Sequence, residues 1–250
     1  MTVKYSATKW APPFSPFPKV SQPMSLKVGI AIPAKNEEKN IECVLSGLKD
    51  IGFRNVLVID GLSSDGTLKV AARNGAKIVL QDGRGKGAAV RQVLAKGYLD
   101  VEALVLMDAD GSMSPQEVPR FVGALHNGAD VVKGSRFVSG GGSGDMTFAR
   151  KIGNGLFTSC VNLLWSTGYT DMCYGFAAFN QKAIRKLAPI LESNNFEIET
   201  EIFIKAKKLG LKVVEVPSFE YKRNSGESNL HAFKDGLRIL KTILTEAIRN

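Results

Sequence analysis

The sequence is short of the residues that staple or ligate. Its 250 residues include three cysteines (Cys43, Cys160, Cys173) and two histidines (His126, His231). The cysteines lie far apart, form no CxxC pair and have no histidine cluster beside them. That excludes a disulfide framework and a structural zinc site, and it fits a reducing compartment. No run of about eighteen apolar residues occurs, so no spanning helix is expected, and no apolar segment near the start reads as a signal peptide. The protein is expected in the cytoplasm, with any contact to the cytoplasmic membrane face peripheral. A GxGxxG motif is missing after the first strand candidate, which argues against a nicotinamide dehydrogenase. The glycine loop around Lys86 is not a P-loop, because Gly87 stands where Ser or Thr is required.

What is present is ordinary for a globular α/β protein: 44% hydrophobic and 23% charged residues, enough for one sizeable domain. The formal charge of +9 suggests an anionic partner without choosing its kind. Residues 1–25 stand apart, with five of the ten prolines, three lysines and no acid. They read as a flexible arm, since proline blocks both helix and ladder pairing. The globular domain is expected over 26–229, followed by an amphipathic helix over 230–250.

From Val28 onward strand and helix patterns alternate. Strand candidates are 28–33, 55–60, 77–80, 103–107 and 130–135; helix candidates are 37–50, a segment opened by Ser64 or Asp65, 87–99 and one starting near Pro115. This alternation predicts a mostly parallel sheet with helices on both faces. Further on come a glycine-rich loop at 138–145, a helix over 148–165, the segment 175–180, a helix over 197–210 and a strand over 211–217.

The chemistry-bearing stretch is "ALVLMDADGS", in which an apolar strand runs into Asp108, Ala109 and Asp110. Ligands of open parallel sheets bind beyond the carboxyl ends of the strands. Residues two apart on a strand point the same way, so both carboxylates can face one ligand. Two bare carboxylates that close repel unless a cation sits between them, and Mg²⁺ or Mn²⁺ bridging to phosphate oxygens resolves the repulsion. From the tripeptide alone, a solvated acidic turn explains the pattern equally well. Read with the neighbouring strand ends "IPAKNEE", "IDGLSSDGT" and "DGRGKGAA", it describes one edge where glycines and Lys86 can approach a diphosphate.

Eight motifs in order, "PAKNEE", "IDGLSSDGT", "GRGKG", "LMDADGS", "GSRF", "DMCYGF", "EIFIKAKKLGLKVVEVP" and "RNSGESNL", resemble the family 2 inverting glycosyltransferases of the GT-A fold. They look most like the branch that acts on polyprenyl phosphates such as dolichol phosphate. The resemblance implies a single GT-A domain that moves a mannose- or glucose-type hexose from GDP- or UDP-sugar to a polyprenyl phosphate. It implies donor contacts from Pro33, Lys35, Glu37, Asp60, Lys86, Asp108, Ala109, Asp110 and Arg136, with the metal on Asp108 and Asp110. Arg223 and Asn229 then take the acceptor phosphate, and Asp171 is a sugar contact or base. Glu201 matches a recurrent acid expected to orient an active-site loop, whereas Glu197 and Glu199 read equally well as a solvated helix face. Three positions depart from the pattern: Gly61 after Asp60, Ser112 two past the acidic pair, and Asn229 where lysine is usual.

Alternatives stay open at this stage. The same chemistry could serve a soluble sugar or phospho-acceptor, which Asn229 favours. A sugar nucleotidyltransferase or a non-enzymatic nucleotide-binding module is a further reading. Nucleic acid is not an expected partner, since acids at strand ends repel its phosphates. The C-terminal stripe Leu230, Phe233, Leu237, Leu240, Leu244 and Ile248, opposite Lys234, Arg238 and Lys241, could pack on the domain or lie on an anionic membrane.

Overall fold

A computed structural model describes residues 26–226 and 231–249. The first half runs β1 (Val28–Ala34), α1 (Ile41–Asp50), β2 (Val56–Asp60), α2 (Thr67–Arg73), β3 (Lys77–Leu80), α3 (Lys86–Lys96), β4 (Ala103–Leu106), α4 (Val118–His126) and β5 (Val131–Ser135). The second half adds β6 (Gly142–Ser143), α5 (Phe148–Trp165), β7 (Ala177–Asn180), α6 (Gln181–Leu187), α7 (Ile198–Lys208), β8 (Val213–Pro217), β9 (Phe219–Glu220) and α8 (Ala232–Ile248).

Seven strands form one sheet in the order β3-β2-β1-β4-β7-β5-β8, and β6 pairs with β9 in a small second sheet. Within the large sheet only β7 is antiparallel, to both β4 and β5. The other six strands therefore run the same way and end on one edge. Their apolar residues alternate between two cores. Ala31, Leu57, Ile59, Leu104 and Phe179 face α3, α6 and α7. Ile30, Ile32, Val58, Val105 and Ala178 face α1 and α4, where Phe121 stacks on Phe176 at 4.1 Å. Strands covered on both faces need continuous apolar runs, which is why "ALVL" is buried throughout.

The boundaries differ from the expected ones where loops take over. Residues 37–40 form a turn whose Glu37 carbonyl accepts from the N–H groups of Asn40 and Ile41, so α1 starts at Ile41. Helix α3 stops at Lys96 because Gly97 adopts a left-handed φ of 56°. Asp65 does serve the start of α2: its carboxylate accepts from the Thr67 N–H at 3.0 Å. Pro115 opens a short 3₁₀ turn, Pro115–Glu117, that leads into α4. Among the described residues, no helix is long and apolar enough to cross a membrane.

Candidate active site

The acidic pair lies in a turn just past β4, not on the strand itself. After Leu106 the chain leaves the ladder, and Gly111 takes a φ of 75° that reverses it. Asp110 accepts from the Ser112 N–H at 2.9 Å. The two carboxylates therefore come together through turn geometry rather than strand pleat. Ala109 between them is buried.

Lys86 reaches this turn from the first residue of α3. Its ammonium sits 2.6 Å from one Asp108 oxygen, 2.9 Å from the other and 2.8 Å from Glu199 on α7. Burial pushes the Asp108 carboxyl up, Lys86 opposes that, and the charges of Asp110 and Glu199 push it further, to about 6. Burial favours a neutral Lys86, but Asp108 and Glu199 outweigh it and raise its proton affinity. The approach needs glycines. A Cβ on Gly87 would stand 2.5 Å from the Ser193 carbonyl, and one on Gly175 would stand 2.4 Å from Glu199 and 2.5 Å from Lys86. A cavity lined by Pro33, Lys86, Asp108, Tyr174, Gly175 and Glu199 opens beside the three charges.

The loop after β9 closes the other side. Arg223 pairs with Glu37 at 3.0 and 3.2 Å and donates from Nε to the Ser225 carbonyl. Asn40 bridges the same groups, giving one amide to Glu37 at 2.5 Å and to the Ser225 carbonyl at 3.1 Å. The backbone pins this loop to the acidic turn: Tyr221 N–H donates to the Ser112 carbonyl and Asn224 N–H to the Asp110 carbonyl. Burial raises Glu37, the Asn40 and Arg223 contacts lower it, and Asp110 raises it again, with a net upward shift.

At the end of β2, Asp60 is fully buried and accepts from the Ser63 N–H through one oxygen. Its other oxygen, Oδ1, has no hydrogen-bond partner among the described residues. A buried carboxylate oxygen left unpaired is costly. The loops carrying Lys35 and Asp60 are tied together by Asn36, whose Oδ1 accepts from the Ser64 N–H at 2.8 Å. Pro33 faces Ile59 in the β1–β2 register, and Lys35 is exposed above it.

Two expected site residues are paired with each other. Arg136 and Asp171 form a bidentate pair (2.7 and 2.9 Å), with side chains 2% and 0% exposed. Arg136 also pairs with Glu220 at 3.1 Å and lies over the Tyr174 ring. Burial raises Asp171, but the Arg136 hydrogen bonds and the charges of Lys133 and Arg136 overcome it and hold the carboxyl below its ordinary value. Arg136 also donates to the Cys173 carbonyl at 3.0 Å, and Asp171 accepts from the Cys173 N–H at 3.2 Å. In this structure the two expected ligand contacts are paired with each other, and a buried ion pair loses much if one partner is drawn away. Asn229 lies outside the described residues.

Glu199 is the residue that sequence reasoning missed: it is no solvated face but the second anion on Lys86, 113 positions away. Only an acid in a helix's otherwise buried first turn hinted at this. Glu201 does hold a loop, accepting from the N–H groups of Glu192 and Ser193 at 2.9 and 2.8 Å. That loop is the one the glycines of the Lys86 turn abut.

An acidic turn, a lysine on a glycine turn and a buried acid gather at one edge of a mainly parallel sheet, and the architecture is that of a glycosyltransferase of the GT-A type. Residues 29–188 match the family described as Glycosyl transferase family 2, and the chain belongs to that family: it is a glycosyltransferase. The chain is 34% identical over 210 residues to "Glycosyltransferase AglJ" of Haloferax volcanii, covering 84% of this chain and 68% of that protein. It is 30% identical over 217 residues to the undecaprenyl-phosphate mannosyltransferase of Micrococcus luteus, covering 82% and 88%. Among solved structures, glucosyl-3-phosphoglycerate synthase from Mycobacterium tuberculosis, in complex with Mn²⁺, UDP and glucosyl-3-phosphoglycerate, superposes with a TM-score of 0.70. At 21% identity, over 89% of this chain and 80% of that one, the likeness is one of fold.

Proposed function

We propose that this glycosyltransferase moves a hexose from a nucleoside diphosphate sugar to the phosphate of a polyprenyl phosphate, with inversion at the anomeric carbon. The observation that carries the reading is the position of Arg223, held by Glu37 and Asn40 on a loop whose backbone is pinned to the Asp108–Asp110 turn. A cationic fork beside the donor's leaving group suits an acceptor that arrives as a phosphate. The named activity of the Micrococcus luteus relative supports the same acceptor class.

In this reading Asp60 receives a donor from the nucleoside through its spare oxygen, and Lys35 and Lys86 lie beside the diphosphate path. Asp108 and Asp110 offer hard oxygen donors to Mg²⁺ or Mn²⁺. Among the described residues no three His, Cys, Asp or Glu side chains are grouped to hold an ion alone. Two carboxylates completed by substrate phosphate oxygens is the usual arrangement for Mg²⁺. Held by Asp108 and Asp110, a divalent cation would supply charge neutralisation for the departing diphosphate. Arg223 exchanges Glu37 for the acceptor phosphate and holds it on the face opposite the leaving group. A phosphate is ionised near neutrality and needs no strong base, so the sealing of Asp171 does not obstruct this chemistry.

A soluble phospho-acceptor is the second reading, favoured by Asn229 in place of lysine. The test uses one labelled donor at a time, GDP-mannose or UDP-glucose, with Mg²⁺ or Mn²⁺, against a polyprenyl-phosphate extract and against soluble phosphate esters. Label in the lipid phase supports the proposal; label only in soluble product overturns it in favour of the second reading. Thermal shifts with each donor identify the base, since ligand binding to the native state raises the midpoint.

A further inference from the structure

Helices α5 and α8 are built inside out. The inward residues of α5 are Asn154, Thr158 and Val161, and Asn154 Oδ1 accepts from the N–H groups of Met172 and Cys173 at 3.0 Å each. Its outward side carries Phe148, Ile152, Leu156, Leu163 and Leu164, of which Phe148 is 79% and Leu163 84% exposed. Helix α8 buries Asp235 and Glu246 beside Ile239 and Ile243. Outward it shows Phe233, Leu237, Leu240, Leu244 and Ile248, the first 82% and the last 85% exposed. At 3.6 residues per turn these five fall within about a quarter of the helix circumference.

The two helices touch each other and both rest on α7, so their outward stripes adjoin. They meet where Gly236 of α8 faces the Phe157 ring of α5. A continuous apolar face of this size on a water-facing surface is unusual and marks an interaction site. Its charged rim decides the kind of partner. Lys151, Lys234 and Lys241 are exposed, whereas the acids of α8 are buried and α5 has none. A second copy would bring like charges together across the contact. An anionic lipid surface meets both features, taking the leucines into its acyl boundary and the lysines at its headgroups.

We infer that α5 and α8 together form the face by which this glycosyltransferase docks on an anionic bilayer. The inference deepens the polyprenyl-phosphate reading and rests on it for what the docking delivers. Helix α8 comes next in the chain after the Arg223 loop, and Arg150 of α5 reaches Glu220 at the end of β9, the strand that leads into that loop, at 3.2 Å. The docked face therefore adjoins the acceptor side of the site.

The test is flotation of the full chain with vesicles of equal parts phosphatidylglycerol and phosphatidylcholine, and with phosphatidylcholine alone. The expected result is flotation with the anionic vesicles, weakened by salt, and lowered about tenfold or more in Leu156→Asp/Leu237→Asp. A polarity-sensitive dye on Cys160, an exposed thiol on α5, should shift to the blue with the same vesicles. Absence of flotation by the unmodified chain overturns the inference. So does a dimer in sedimentation that the double variant dissociates. Circular dichroism of the variant and its turnover of citronellyl phosphate, a water-soluble isoprenyl phosphate, separate loss of docking from loss of fold. If the chain floats yet glycosylates no isoprenyl phosphate, docking stands and the acceptor reading falls. If it glycosylates citronellyl phosphate but never floats, the reverse holds.

Discussion

Arg223 lays its guanidinium across both carboxylate oxygens of Glu37, 186 positions earlier in the chain, at 3.0 and 3.2 Å. The pair joins the loop after the last strand to the loop after the first. The turn of Asp108 and Asp110 is tied to the same loop by the Asn224 N–H on the Asp110 carbonyl, so in the proposed function the acceptor on Arg223 and the donor at that turn share one opening.

Replacing this arginine should damage acceptor use far more than donor binding. A charge-assisted hydrogen bond contributes about 1.5–3 kcal/mol, which corresponds to roughly a 10- to 100-fold fall in kcat/KM for the acceptor in Arg223→Gln. The thermal shift given by the nucleotide sugar should stay within about twofold of the unmodified protein's. A parallel loss of donor binding would place Arg223 on the donor instead.

Lys86 is the counter-ion of Asp108 and Glu199, so Lys86→Met should leave two acids facing each other. With the ammonium gone, both carboxyls bind protons more tightly than before. The variant's loss of stability should therefore be larger at pH 8 than at pH 5, where the acids can be neutral. Because the three side chains are partly open to water, the difference should be about 1–3 kcal/mol in denaturant titrations at the two pH values. Equal losses at both pH values would show that Lys86 acts by packing alone.

Glu117 is a buried carboxyl in the turn that follows Asp110, accepting from the Ser218 hydroxyl and from the Phe219 N–H at 3.0 Å. Burial pushes it up to about 7, against the contacts of Ser218, Phe219 and Arg120. A folded-state value above the unfolded one means the native protein holds the proton more tightly. That contribution to stability is full below about pH 4.5 and is lost as pH rises to about 7. Glu117→Gln should remove this fall, so the variant gains relative to the parent by roughly 2–3 kcal/mol between pH 5 and pH 8. Urea midpoints across that range measure it; a parallel pH profile for both proteins would contradict the assignment.

The Arg136–Asp171 pair has the opposite signature. Asp171→Asn keeps the shape but leaves a buried guanidinium short of its counter-charge, and should cost about 3–5 kcal/mol of stability. If Asp171 were a base open to the substrate, the variant would instead fold normally and lose its turnover with a changed pH–rate profile. Melting temperature and pH–rate profile, taken on the same sample, distinguish the two.

Much of this protein was legible in the chain itself. The alternation of apolar strands with helical stripes determined a mainly parallel sheet, because strands covered on both faces require unbroken apolar runs. The acidic pair after "ALVLM" and the glycines around Lys86 marked the edge where the site would be, since these features depend on local spacing. Helix α5 fell on the expected residues 148–165 because its pattern is helical throughout.

Tertiary structure alone decided which charges meet. Glu199 joined Lys86, Glu37 joined Arg223 and Asp171 joined Arg136 only once separate elements were folded together. The sidedness of α5 and α8 was also settled at that level: polar Asn154, Asp235 and Glu246 found partners inside, and the leucines were left outside. Periodicity specifies that a helix has two faces, but which one turns inward depends on the hydrogen bonds and ion pairs that the rest of the fold offers.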